Sequence, residues 1–286
     1  MPNNQFFITA ENVKQYAAYL KSEERAAATI KKYARDIKAF AKSLNGETVT
    51  KEAAIQWKNT LLETHAAASV NAMLAGINGF FDFFELGIKI KPLKIQRTIF
   101  SSKAKELTLD EYKRLLESAK NQDNERIYHI LQTICSAGIR VSELTFITVE
   151  AIQTGRAEVN NKGKIRVIFI PNDLKNLLLR YIRKHGIISG CIFITKNGRP
   201  LDRSNIWNAM KKLCETAGVD RNKVFPHALR KLFSRVFYSK ERDLSKLADL
   251  LGHSSLSTTR IYIMDTGSEH IRIINSLGLV MPMYGT

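Results

Sequence analysis

The chain has 286 residues, enough for one large or two ordinary domains, and with 44% hydrophobic residues it can bury cores without disulfide or metal staples. Its 44 lysines and arginines against 27 acidic residues give a net charge of +17, which favours a polyanionic partner, nucleic acid before an acidic membrane. A membrane reading would need an apolar span, a lipidation signal or one concentrated basic amphipathic helix, and the opening "MPNNQFFITAENVKQ" lacks a secretory signal, so a cytoplasmic location is expected.

In chain order, a weak helical pattern covers about residues 10 to 22. A strong one runs through Ile30, Tyr33, Ala34, Ile37, Phe40, Ala41 and Leu44. A third covers about 51 to 63, and a fourth runs through Val70, Met73, Leu74, Ile77, Phe80, Phe81 and Phe84. Residues 1–90 therefore read as an all-helical bundle. The fourth helix is rich in alanine and glycine, from Ala66 to Gly79. Such residues allow close approach, either to a packed neighbour or to a DNA backbone.

The stretch "GIKIKPLKIQRTIFSSKAKE", residues 87–106, is basic, holds Pro92 and has no period, so residues 91–106 are assigned as a linker able to meet phosphates. Residues 107–286 form the second part, which opens on a capping box, Thr108 with Glu111. "RAEVN" and "KIRVIFI" flank Asn161, Lys162 and Gly163 as a hairpin with lysines at its tip, and "CIFIT" at 191–195 is a further candidate strand. Helical spacing returns in "DRSNIWNAMKKLCETAG" and "DLSKLADLLG", each closed by a glycine. The fold class is mainly α, a helical amino-terminal domain followed by a mixed α/β domain with a small sheet. Cys135, Cys191 and Cys214 are far apart in apolar surroundings, as reduced core thiols are, and no paired ligands suggest a metal.

Several chemistry-bearing residues are ambiguous singly. Arg140 and Glu143 in "SAGIRVSEL" read equally as a surface pair and as a guanidinium held for a ligand. His227 and Arg230 in "FPHALRKLF" share a helical face, a proton-transfer group beside a phosphate fork. His253 follows Gly252 directly, and Tyr262 stands in the apolar string Ile261, Tyr262, Ile263, which taken alone reads as an ordinary tyrosine with nothing but a turn before it.

Taken together, Arg140, a lysine hairpin, His227-x-x-Arg230, His253 and Tyr262 occur in the order that marks the tyrosine recombinase family, the phage integrases and Xer-like enzymes, and the sequence closely resembles it along its whole length. The resemblance implies a SAM-like core-binding domain and a catalytic domain that clamp double-stranded DNA. It implies that Tyr262 attacks a scissile phosphodiester to give a 3′-phosphotyrosyl link and a free 5′-hydroxyl. A phenol ionises only near pH ~10 unaided, so a proton acceptor or positive field is needed, and His227 fits the acceptor. Arg140 and Arg230 would hold the nonbridging oxygens, His253 would donate a hydrogen bond, and Glu143 would support them. Lys162 is assigned as the acid for the 5′-oxygen, with Lys164 its competitor. Lys231 departs from the histidine that many relatives carry after "HALR".

The same resemblance implies no metal or nucleotide cofactor and a homotetramer on paired sites, with room for an accessory protein. The segment "DTGSEHIRIINSLGLV" would dock on a neighbouring protomer or fold back on its own core. A type IB topoisomerase and a catalytically silent DNA-binding relative are the alternatives. No arm-binding domain is expected before the first helix, which argues against the lambda type and leaves Xer-like resolution, simple element integration or DNA inversion, with a mobile-element integrase or invertase favoured.

Overall fold

The computed structural model describes residues 5–95, 106–161, 164–195 and 197–263. The chain divides into two compact units, Met1–Arg97 and Thr98–Thr286.

The first unit contains α1 (Ala10–Ser22), α2 (Ala27–Ser43), α3 (Lys51–Thr64) and α4 (Ala67–Phe83). Their apolar stripes meet in a core of Ile37, Phe40, Val70, Leu74, Ile77, Phe80 and Phe81. Helix starts follow local chemistry: the hydroxyls of Thr9 and Thr50 cap α1 and α3. Inside α2, Asp36 is buried but accepts from Lys32 Nζ at 2.6 Å and Arg35 Nη2 at 2.9 Å, which keeps its charge paired.

The small residues of α4 divide between the two readings. A Cβ on Gly76 would lie 2.9 Å from the Tyr33 ring and one on Gly79 2.4 Å from the Tyr16 hydroxyl, so both serve packing. Ala68, Ala72 and Ala75, on the stripe that Gly79 continues but nearer the start of the helix, are exposed. After α4 the chain is irregular, yet it is fastened back. Asn78 exchanges two hydrogen bonds with the Ile90 backbone, both 2.9 Å, and Asn71 exchanges two with Leu93, at 2.9 and 2.7 Å.

The second unit runs α5 (Leu109–Asn121), α6 (Glu125–Ala137), a 3-10 segment Val141–Phe146, α7 (Val149–Thr154), β1 (Arg156–Asn161), β2 (Lys164–Phe169), α8 (Asn172–Lys184), α9 (Arg203–Ala217), α10 (Pro226–Glu241), α11 (Leu244–Leu251) and α12 (Leu256–Tyr262). The expected capping box opens α5: the Thr108 backbone N–H donates to Glu111 Oε2 at 2.8 Å, and Glu111 N–H donates to Thr108 Oγ1 at 3.1 Å. Strands β1 and β2 pair antiparallel, with Ala157 opposite Ile168 and Val159 opposite Arg166. Ala157, Val159 and Ile168 face the core, which also takes Leu115, Ile130, Ile134, Leu178, Met210 and Leu229. Gly218 and Gly252 end α9 and α11 in the left-handed conformation, as the sequence predicts.

One local expectation needs correction. Residues 191–195 form no strand; Cys191 and Ile194 each make one isolated bridge, to Thr148 and Pro200. The run is apolar because Ile192 and Phe193 plug the core, not because a ladder passes there. The hydroxyl-rich stretch before Tyr262 forms α12, capped by Ser255, whose Oγ accepts from Ser257 N–H. The cysteines are free thiols; Cys214 is buried, and burial pushes Cys135 up to about 12. Among the described residues no helix is long and apolar enough to cross a membrane.

Candidate active site

Four chain turns deliver the site. Helix α6 ends at Gly138, φ +60°, which sends the chain sharply into Arg140. A side chain at 138 would strain that turn and its Cβ would lie 2.4 Å from the Phe233 ring. Arg140 opens the 3-10 segment, and Glu143 folds back to accept its backbone N–H at 2.7 Å and its Nη1–H at 2.9 Å. Helix α10 begins at Pro226, a residue preorganised for a first turn, and carries His227 and Arg230. Gly252 turns the chain out of α11 into His253, and Tyr262 is the last residue of α12.

The structure brings Arg140, Glu143, His227, Arg230, His253 and Tyr262 together. The Tyr262 ring, 7% exposed, lies between two imidazoles, each with its centroid 4.9 Å away: His227 edge-on and His253 tilted. The Arg230 guanidinium carbon is 5.9 Å from the same ring. Arg230 is fully buried, with Nη1 donating to Gly138 O and Nη2 to Leu251 O, both at 2.6 Å, and Nη2 also 3.1 Å from His253 Nε2. Arginine only donates, so His253 Nε2 accepts and its proton sits on Nδ1, which donates to Thr259 Oγ1 at 2.9 Å. Lys162 lies outside the described residues, as do Gly163 and the segment 264–286.

The field is strongly positive. Burial first, then Arg230, Arg140, Arg166 and His227, pull His253 down to about 4. His227 is an exposed residue on the rim, yet its ring is held below the usual imidazole value by partial burial, then by Lys231, Arg230, Arg140 and Arg203. Both imidazoles are therefore neutral at pH 7. Because the folded value of His253 is depressed, its contribution to stability is complete above about pH 6.5 and is lost as pH falls from there towards 4. In a ring-proton NMR titration of the DNA-free protein, His253 should stay neutral until about pH 4; an ordinary midpoint near 6.5 would refute this account of the site's field.

Sequence reasoning missed three contributors. Thr259 fixes the His253 tautomer, and Gly252 leaves room for Arg166, whose Cδ an added Cβ would meet at 2.5 Å. Arg166 itself sends Nη1 to both oxygens of Glu143, each at 2.9 Å. Its signal was available: period two places Arg166 on the same inward face of β2 as the buried Ile168. Among the described residues no three His, Cys, Asp or Glu side chains gather as metal ligands.

Known families match both units of the chain. The phage integrase family matches residues 105–269, and its N-terminal SAM-like domain matches residues 13–85. Tyrosine recombinase XerA of Pyrococcus furiosus is 28% identical over 277 residues, covering 93% of each chain. Among solved structures, a lambda integrase tetramer bound to a Holliday junction shares the fold at a TM-score of 0.74 and 19% identity, over 93% of this chain and 79% of that one. The pre-cleavage complex of XerH with its difH substrate has a TM-score of 0.69 at 18% identity, over 94% and 85%. The chain belongs to the phage integrase family of tyrosine recombinases. It is a site-specific, DNA strand-exchanging enzyme that breaks and rejoins DNA.

Proposed function

We propose that Tyr262 is the nucleophile, attacking a scissile phosphodiester of double-stranded DNA and keeping the 3′-phosphate while a 5′-hydroxyl departs. The observation that carries this is the Tyr262 ring set between His227 and His253 beside Arg230. A neutral His227 can take the phenolic proton as the oxygen attacks. Arg140 and Arg230 offset the charge that builds on the phosphoryl oxygens, and Glu143 orients Arg140. His253 donates to the phosphate only after it gains a proton on Nε2, since that atom accepts from Arg230 in the DNA-free chain. The incoming phosphate supplies the negative charge that favours this. Lys162 protonates the departing oxygen. The phosphotyrosyl bond conserves the energy of the broken linkage for the reverse attack, so the cycle calls for no nucleotide.

Strand exchange between two duplexes needs two cuts on each, and a homotetramer on paired sites provides them. The related complexes on DNA, one titled a tetramer on a Holliday junction, support this assembly. The likeness to XerA over 93% of each chain supports an enzyme working on DNA in the cytoplasm. The arrangement of its sites then decides between integration, excision, inversion and resolution. The exposed row Ala68, Ala72 and Ala75 suits close approach to a DNA backbone.

The test is incubation with nicked suicide duplexes from the gene's own flanks in EDTA, followed by denaturing electrophoresis. A protease-sensitive adduct on the 3′ side of one break, with a free 5′-hydroxyl opposite, is expected. A 5′-linked adduct, or tight binding with no adduct, refutes the assignment.

A further inference from the structure

Arg166 stands outside the residue set that the family resemblance supplies, yet its side chain is only 9% exposed and reaches the centre of the site. Nη1 spans both oxygens of Glu143. The same carboxylate accepts from Arg140 Nη1 at 2.9 Å, and Arg230 Nη1 stands 3.8 Å from it. Three guanidiniums thus share one carboxylate that is itself 3% exposed. The stem of Arg166 passes over Gly252, in the turn that leads to His253.

Stability does not explain this side chain. Its Nε and Nη2 are buried and meet no hydrogen-bond partner among the described residues. Buried donors left unpaired are destabilising, and an apolar side chain of similar volume is generally the more stable occupant of such a position. The charge balance does explain it. Three guanidiniums against one carboxylate leave two positive charges, and without Arg166 only one remains. Around side chains as buried as Glu143, Arg166 and Arg230, one unit of charge is a large change.

We infer that Arg166 is a positioning residue for strand cleavage: by occupying both oxygens of Glu143 it neutralises that carboxylate and leaves the charge of Arg140 and Arg230 for the scissile phosphate. This rests on the reading of those two arginines as phosphate ligands. Arg140 spends one N–H on Glu143 and is 39% exposed, so it keeps an open face for that ligand. Because the carboxylate is already satisfied by Arg166, Arg140 can turn towards the phosphate without stranding a buried anion.

The experiment is single-turnover cleavage of suicide duplexes by Arg166→Met, Arg166→Lys and the double variant Arg166→Met with Glu143→Gln. Each is assayed on the natural scissile phosphate and on a methylphosphonate, in which an uncharged methyl replaces one nonbridging oxygen. Arg140→Ala is run alongside. Arg166→Met should bind DNA as the parent does yet cleave about 10- to 100-fold more slowly, with Arg166→Lys recovering most of the loss. Adding Glu143→Gln restores the original charge balance and should raise the rate of the Met variant. On the methylphosphonate, which carries one negative charge fewer, the defects of Arg166→Met and Arg140→Ala should both shrink to a few-fold. If Arg166→Met folds poorly, Arg166→Gln, which keeps a donor for Glu143, takes its place.

Relief of Arg140→Ala but not of Arg166→Met overturns this inference alone. A Glu143→Gln change that deepens the Arg166→Met defect does the same, because Arg166 would then serve only to brace the hairpin. Failure of both variants to be relieved overturns the phosphate-clamp reading and this inference with it.

Discussion

Tyr262→Phe is expected to abolish the covalent protein–DNA adduct while leaving DNA affinity and folding unchanged. The ring of Tyr262 packs with Leu247 and Leu251 in a small core of its own, and phenylalanine preserves that packing, so the stability change should stay below about 1 kcal/mol. Alanine would be the wrong probe, because truncating a buried aromatic costs about 3–5 kcal/mol and would unseat α12 with the chemistry. Loss of the oxygen alone removes the attacking atom, and cleavage should fall by on the order of 10⁴-fold or more, to the background of water attack. Denaturing gels of both proteins on one suicide duplex read the result directly. An adduct formed by the Phe variant would exclude Tyr262.

Arg230→Lys is expected to fail twice, in stability and in cleavage. The guanidinium fastens Gly138 O and Leu251 O at once, the two turns that deliver Arg140 and His253. An ammonium has no planar fork, so at least one buried carbonyl loses its partner at a cost of about 1–3 kcal/mol. Burial, then Arg140 and Arg166, lower Arg230 to about 10, still charged at neutral pH. Its charge therefore remains available to a phosphate, and losing the fork should slow cleavage by about 10²- to 10³-fold. Urea denaturation gives the first loss and single-turnover cleavage the second. A lysine variant with parental cleavage would show that Arg230 is a structural tie only.

How legible this was in the sequence differs from residue to residue. The helices of the first unit announce themselves because Ile37, Phe40, Ile77 and Phe81 repeat at helical spacing, and a bundle needs little else. The glycines at 218 and 252 mark helix ends because left-handed backbone favours glycine over other residues. The site was readable as an order of residue types, not as a geometry. Nothing local says that Arg230 is buried, since its neighbours on α10 look like any amphipathic helix until α6 and α11 close over it. Arg166 was passed over because a basic residue in a basic hairpin is unremarkable until its face is known. The run at 191–195 misled for the converse reason: Ile192 and Phe193 satisfy a core without pairing, and an apolar pentapeptide looks the same in either role.

The asparagine clasps have a practical consequence for building hybrid recombinases. Asn71 and Asn78 stitch Ile90 and Leu93 onto α4 through four hydrogen bonds, so the first module closes with its own strap rather than at its last helix. A chimera spliced at the end of α4 discards the strap and strands two half-buried amides. One spliced beyond Leu93 carries it along, and the module arrives in its new host already finished.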